Sequence, residues 1–468
     1  VGTSRNKIAA IAALSTIWPG MALPQQTGTG GTAARGAGGL QFDINVNSKL
    51  SYDDNFQLQP RSPGSTTIFD NSVDLNLSSV TSVQDFNVNA SGVFRYAEIP
   101  GRSISGFEDP TIRLGYRLDG VNSRLTFNGR YRNVDREFLD PFQVEQEEQQ
   151  SNIFVDDGGT VEFTTAALSY QTGLNDPLGF TVSLDHDQRD YSNVTNARLF
   201  DRETNSANLT ATLKVSPVTQ LRAQAGITEF SADDAVGTER RTTDYSIGVV
   251  QDIDPTLVLD ARLGRTEIDT DTNTGSSNRS GATGAATLTK TLSNGTVFAS
   301  IDSTVNQNGS RNSLRFGRSL QLPSGSFNAS VGGIDTPSGN NYVIGSLGYT
   351  HQLKTSNINV SINRNVSTNS LSEDVLDTRV SVGYGYEINN NSRLNVALNW
   401  GRSESAGIGG APTVERTSLR ATYSHALTQD WDLTGGVLVR RRSASTATGD
   451  AQSNSVFVTL DRSFNFRP

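Results

Sequence analysis

Residues 41–53 read QFDINVNSKLSYD. Phe42, Ile44, Val46, Leu50 and Tyr52 fall on one face of an extended chain, and Asp43, Asn45, Asn47 and Lys49 on the other. Strict alternation is the mark of a β-strand, so this segment is a strand with one apolar and one wet face. The pattern recurs to the C-terminus, as in Phe86/Val88/Ala90, Leu257/Leu259/Ala261/Leu263, Leu394/Val396/Leu398/Trp400 and Val456/Val458/Leu460. Tight turns, among them 119–122, 216–218, 293–295 and 389–392, interrupt it at every second junction. The remaining breaks are mostly longer, at 53–65, 100–109, 139–158, 269–278 and 406–413. Short turns at one rim and long loops at the other describe a transmembrane antiparallel up-and-down β-barrel. Counting hairpins predicts an all-β fold of about 22 strands, within roughly 18 to 22, with segments 313–321 and 325–333 the weakest candidates.

Composition agrees with one continuous barrel. The 468 residues show no shift in composition after about the first 40. Only 35% are hydrophobic, too few for spanning helices, which need about 20 consecutive apolar residues. A barrel escapes that requirement because only alternate residues of each strand face lipid. A β-solenoid would need a short fixed repeat and a chain of sandwiches a richer aliphatic core, and neither produces the turn asymmetry. The chain has no cysteine, which removes disulfides, thiolate metal sites and thiol nucleophiles. A net charge of -9 disfavours nucleic acid as a partner.

The first segment reads as an address. Arg5 and Lys7 precede an apolar stretch at 8–18 too short to span, and Gly20, Met21 and Ala22 supply the small residues of a cleavage site. Residues 1–22 are therefore expected to be a signal peptide, 23–40 a flexible Gly/Thr-rich periplasmic tail, and 41–468 the barrel. A TonB-dependent transporter would place a folded plug before its first strand, where this chain has only the tail. An unplugged, open or loop-gated channel is the expectation.

Polar chemistry is concentrated on the inward phase. Arg95, Arg113, Arg117, Arg130, Arg132, Asp185, Asp187, Arg222, Asp260, Arg262, Arg420, Arg440 and Arg442 are expected to line the pore, interleaved with Asn, Ser and Thr. Such a wall would hold water and bias transport towards anions or acidic sugars. The alternative is that arginines and aspartates pair across strands and stabilise the wall whatever the cargo. The longest loop carries Asp140, Glu145, Glu147, Glu148, Asp156 and Asp157 and no basic residue. Folded inward, it would narrow the pore and select cations; left outside, the preferred reading, it would be a solvated acidic cap. No catalytic constellation, cofactor site or metal site is expected. The three histidines, His186, His351 and His425, fall in the outward phase, and the acids beside His186, Asp185 and Asp187, point to the opposite face.

The last strand, Val456 through Phe464 and Phe466, ends on alternating aromatics and resembles the C-terminal signal read by the outer-membrane insertion machinery, with Arg462 departing from a purely apolar phase. Tyr52-Asp53-Asp54-Asn55, closing the first strand, resembles the β-barrel porin families of Gram-negative bacteria, some of which lie in exopolysaccharide operons. That resemblance implies an outer-membrane pore among lipid and lipopolysaccharide, with polysaccharide as a candidate cargo. A surface-binding or structural barrel acting through its extracellular loops, its interior blocked, is the alternative function.

Overall fold

The structure is a computed structural model that describes residues 39–139, 158–369, 373–407, 413–445 and 449–466. The expected leader, nearly all of the expected tail, and Asp140, Glu145, Glu147, Glu148, Asp156 and Asp157 lie outside the described residues. Among the described residues there are 22 strands. In chain order they are β1 (Leu40–Asp53), β2 (Thr66–Val80), β3 (Gln84–Ile99), β4 (Arg102–Asp119), β5 (Ser123–Asp135), β6 (Thr160–Thr172), β7 (Leu178–Ser192) and β8 (Arg202–Ser216). β9 (Thr219–Ala232), β10 (Thr238–Asp254), β11 (Leu257–Thr272), β12 (Gly275–Leu292), β13 (Gly295–Asn306), β14 (Gly309–Leu322) and β15 (Gly325–Asp335) follow. The series ends with β16 (Asn341–Gln352), β17 (Ser356–Thr368), β18 (Asp374–Asn389), β19 (Ser392–Ser405), β20 (Val414–Ala426), β21 (Trp431–Ala444) and β22 (Ala451–Phe466).

Each strand pairs antiparallel with the next, and β22 returns to pair with β1 from Phe42↔Phe466 to Asp53↔Ser455. Closure leaves no edge, so backbone donors and acceptors find partners within the sheet, as hydrocarbon surroundings require. Register sorts the side chains. Directly opposed residues share a face, and the row Leu460, Ser48 on β22 and β1 continues into Leu50↔Phe69↔Tyr96 on one face while Lys49↔Asp70↔Arg95 lies on the other. The apolar face is the outer one. Ile247 is 70% exposed and Leu263, directly opposite it, 74%, values that water would not tolerate across a continuous apolar belt but lipid favours.

Two segments expected to be long loops are strand instead. Chain 100–109 contains only a two-residue turn at Pro100 and Gly101 before β4 begins, and 269–278 turns at Asn273 and Thr274 between β11 and β12. Mostly polar residues occupy both faces of these hairpin ends, so ladder hydrogen bonding continues after the period-two apolar signal has ended. The weak candidates at 313–321 and 325–333 are full strands, β14 and β15. One bulge, between Ser91 and Val93 opposite β4, deserves its glycine: the Phe107 ring lies over Gly92 so closely that a Cβ there would sit 2.2 Å from it.

Candidate transport path through the barrel

The inner face carries a ladder of ion pairs. Arg95 holds Asp70 of the neighbouring strand through two hydrogen bonds, 2.8 and 2.9 Å. Arg132 does the same to Asp109 at 2.6 and 2.8 Å, fixing the left-handed backbone (φ 52°) at which the β4 bulge is made. Arg222 reaches Asp260 across Gly248 at 3.0 Å, Arg189 meets Asp187 at 2.9 Å, and Arg117 meets Asp119 at 2.8 Å. Asp185 accepts from Ser206 at 3.2 Å and Arg113 donates to Asn89 at 3.3 Å. Arg130 faces Arg113 directly across the β4–β5 ladder. Arg420 stands over the Phe457 ring at 5.6 Å, and Arg262 makes no hydrogen bond or ion pair among the described residues. Arg440 and Arg442 are each 2% exposed, below the extracellular rim. Cross-strand pairing and an arginine-led wet surface thus coexist on one wall.

The extracellular end is narrowed by chain that turns inward. The 54–65 loop drops back into the mouth because Asp53 collects three donors there: Arg440 Nη2 at 2.9 Å, Ser453 Oγ at 2.8 Å and the Asn55 backbone N–H at 2.8 Å. Asn55 donates to the Gln452 carbonyl, and Asp54 accepts from the backbone and side chain of Asn454, both at 2.7 Å. The Asp53-Asp54-Asn55 motif is therefore the fastening between the first loop and the last hairpin, across the closure of the barrel. Phe56 from this loop meets Phe138, in a 3₁₀ turn at Arg136–Phe138 that begins the longest loop, and both pack over the inward-facing Ile68 and Ala97. A second apolar pad joins inward-facing Val134, Val161, Phe163 and Tyr191 with Leu139 and Leu199.

On the opposite arc β17 and β18 leave the wall. β16 and β17 pair only as far as Gly345↔Arg364, although both strands continue. Beyond that point Val366 and Leu376, which continue the outward row, pack on Ile334 and Ile344, which belong to the inward row of β15 and β16, with Ala406 beside them. The hairpin has folded over the mouth. Its end is fastened by Asp374, 5% exposed, which pairs with Arg311 and accepts from Asn308 at 2.7 Å, Thr368 at 3.3 Å and Asn306 at 3.4 Å. Arg315 donates to Asn365 at 2.7 Å and Ser338 to the Ala406 carbonyl at 3.0 Å.

Sequence reasoning missed both fastenings. A signal for the pads was present: Ile68, Val134, Val161, Phe163, Ile334 and Ile344 are apolar residues on the otherwise polar phase, confined to extracellular strand ends. The histidines sit on the outer face: His186 beside Asn205 at 2.8 Å, His351 stacked on Tyr349, and His425 stacked on Tyr423 with Ser392 Oγ at 2.9 Å. Among the described residues no carboxylate joins that Ser392–His425 contact and no group of three or more metal-ligating side chains occurs.

No family model and no curated protein matches the chain. Among solved structures it is similar to the ferric-catecholate import receptor Fiu from E. coli K12 (11% identity, TM-score 0.59, 92% of this chain and 82% of that one). It is similar also to the FrpB iron transporter from Neisseria meningitidis (10%, 0.58, 91% and 82%) and the siderophore receptor PirA from Acinetobacter baumannii (10%, 0.56, 90% and 80%). These matches correct the resemblance drawn from Tyr52-Asp53-Asp54-Asn55: the barrel has the architecture of siderophore and iron receptors, not of the porin families of exopolysaccharide operons. Asp53, Asp54 and Asn55, the three of those residues that fasten a loop across the barrel closure, answer a geometric need. The fold is that of the outer-membrane transport barrels of Gram-negative bacteria, and its apolar belt places it in that membrane.

Proposed function

We propose that the chain forms a gated conduit for hydrophilic solutes, with a preference for anions. The observation that carries this reading is the division of labour inside the barrel. The wall is a permanent, hydrogen-bonded cylinder, whereas the mouth is narrowed by segments held at a few polar fastenings, chiefly Asp374 and Asp53. An arginine-led inner face, with Arg262 and Arg420 in no ion pair among the described residues, supports the anion preference. Export of an acidic exopolysaccharide draws on the overturned resemblance as well as on the arginine-led wall, and the wall by itself supports hydrophilic, anion-biased solutes.

The inward fold of the mouth also favours a second reading, a closed barrel that binds partners at its surface. Planar bilayers separate the two. Conductance steps with a reversal potential displaced towards anions are expected from the refolded chain. A folded, inserted sample without any step rejects the conduit and leaves the surface-binding barrel.

A further inference from the structure

We propose that Trp431, Arg462 and Phe464 form a site for the phosphate of an anionic phospholipid headgroup on the outer wall, at the periplasmic rim. Arg462 belongs to the lipid-facing row: it stands opposite Val46 on β1 and Trp431 on β21, between Leu460 and Phe464 of its own strand. A charge on that face is costly unless a counter-charge reaches it. Inner arginines such as Arg95 and Arg222 meet carboxylates; Arg462, on the lipid-facing row, makes no hydrogen bond or ion pair among the described residues, and its buried Nε has no acceptor. Its neighbours Asp432 and Asp461 lie on the lumenal phase, on the far side of the sheet.

The guanidinium is held, not free to wander. Its central carbon lies 4.3 Å from the Phe464 ring centroid and 4.9 Å from that of Trp431. Two aromatic rings hold the guanidinium by cation–π contact, and its terminal N–H groups make no hydrogen bond among the described residues, which leaves them for an acceptor. The height is that of headgroups: Trp431 is the first residue of β21, and Phe466, paired with Phe42 at 6.2 Å, ends the described part of β22. At that level the acceptor matching a planar fork in charge and geometry is a phosphate diester. The site is independent of the conduit reading, because it lies outside the barrel.

Trp431 reports on its own site. With Trp18 and Trp400 changed to Phe, the full-length barrel is reconstituted in phosphatidylcholine vesicles containing increasing fractions of phosphatidylglycerol spin-labelled at the headgroup. Quenching of Trp431 is expected to saturate at low fractions of the anionic lipid, with half-saturation raised about tenfold by Arg462→Gln. Inorganic phosphate in excess is expected not to relieve it, which separates a lipid headgroup from a free anion. Quenching that rises linearly and identically in both proteins overturns the proposal, as does full relief by inorganic phosphate. If Arg462→Gln does not insert, Phe464→Leu, which keeps the belt apolar but releases the guanidinium, is read instead: a shift in the same direction supports the site and an unchanged curve overturns it.

Discussion

Replacing Asp374 by Asn should open the mouth without unfolding the barrel. The carboxylate is 5% exposed and serves Arg311, Asn308, Thr368 and Asn306 together, so the hairpin end depends on one charge. An amide of the same size keeps one acceptor oxygen but loses the charge, while Arg311 retains its 2.6 Å bond to Thr368. A net hydrogen bond to a charged group contributes about 1.5–3 kcal/mol, so the loss is set at about 2–3 kcal/mol. At about 1.4 kcal/mol per factor of ten, the population with the hairpin released should rise roughly 30- to 140-fold. The wall strands pair elsewhere and should hold. Two measurements check this: amide exchange in 361–369 and 374–380, which should accelerate while β1 and β22 stay protected, and single-channel open probability, which should rise. Unchanged exchange and unchanged gating together would refute the assignment of Asp374 as the fastening. Leu376→Ala offers an independent route, since emptying its place against Ile334 and Ile344 should loosen the hairpin by about 2–5 kcal/mol.

Other perturbations address the wall and the rim. Arg440→Ala removes one partner of a pair whose side chains are 2% and 5% exposed, and should lower stability by about 3–5 kcal/mol, read as a fall in the denaturant midpoint of the reconstituted barrel. Arg262→Glu reverses a charge on the inner row that has no ion-pair partner among the described residues and should lower the anion-over-cation permeability ratio about two- to tenfold, measured from reversal potentials in a salt gradient. At the extracellular tip between β21 and β22, the Ser443 hydroxyl, then Arg441, hold the Asp450 carboxyl below its ordinary value. A carboxyl with a depressed folded value supports its contact above the unfolded value and loses that support as pH falls through the folded one. The tip should therefore loosen below about pH 4, seen as faster exchange at Ser443 and Asp450, and Ser443→Ala should move that loosening to higher pH.

The barrel was legible because lipid imposes period two on every strand it touches, and the strand count followed from turn length. Strand ends near the extracellular rim were not legible, since 269–278 is polar on both faces and 102–109 carries only Ile104 and Phe107 as large apolar residues, so alternation stops carrying information. Phase alone groups the wall arginines on the polar face of the sheet. What phase could not say is where a face goes once its strand leaves the wall: Val366 and Leu376 lie in the lipid-facing row, yet they cover Ile334 and Ile344 inside the mouth. That outcome depends on β16 and β17 parting at Gly345 and Arg364, and on Arg311 and Asp374 meeting although they are far apart in sequence. Arg462 was visible as an exception to its phase, but its two flanking rings required the register of β21 against β22.

The fastening at Asp53 also orders assembly in time. Its partner Ser453 is made 400 residues later, and the entropy of joining such distant points grows only slowly with separation, so the delay is one of synthesis and search more than of free energy. Until that meeting, β1 and β22 present bare edges able to pair with foreign strands. A polar clasp that needs both edges in register adds its stabilisation to the correctly closed barrel alone, since a chain paired out of register cannot seat Arg440 on Asp53.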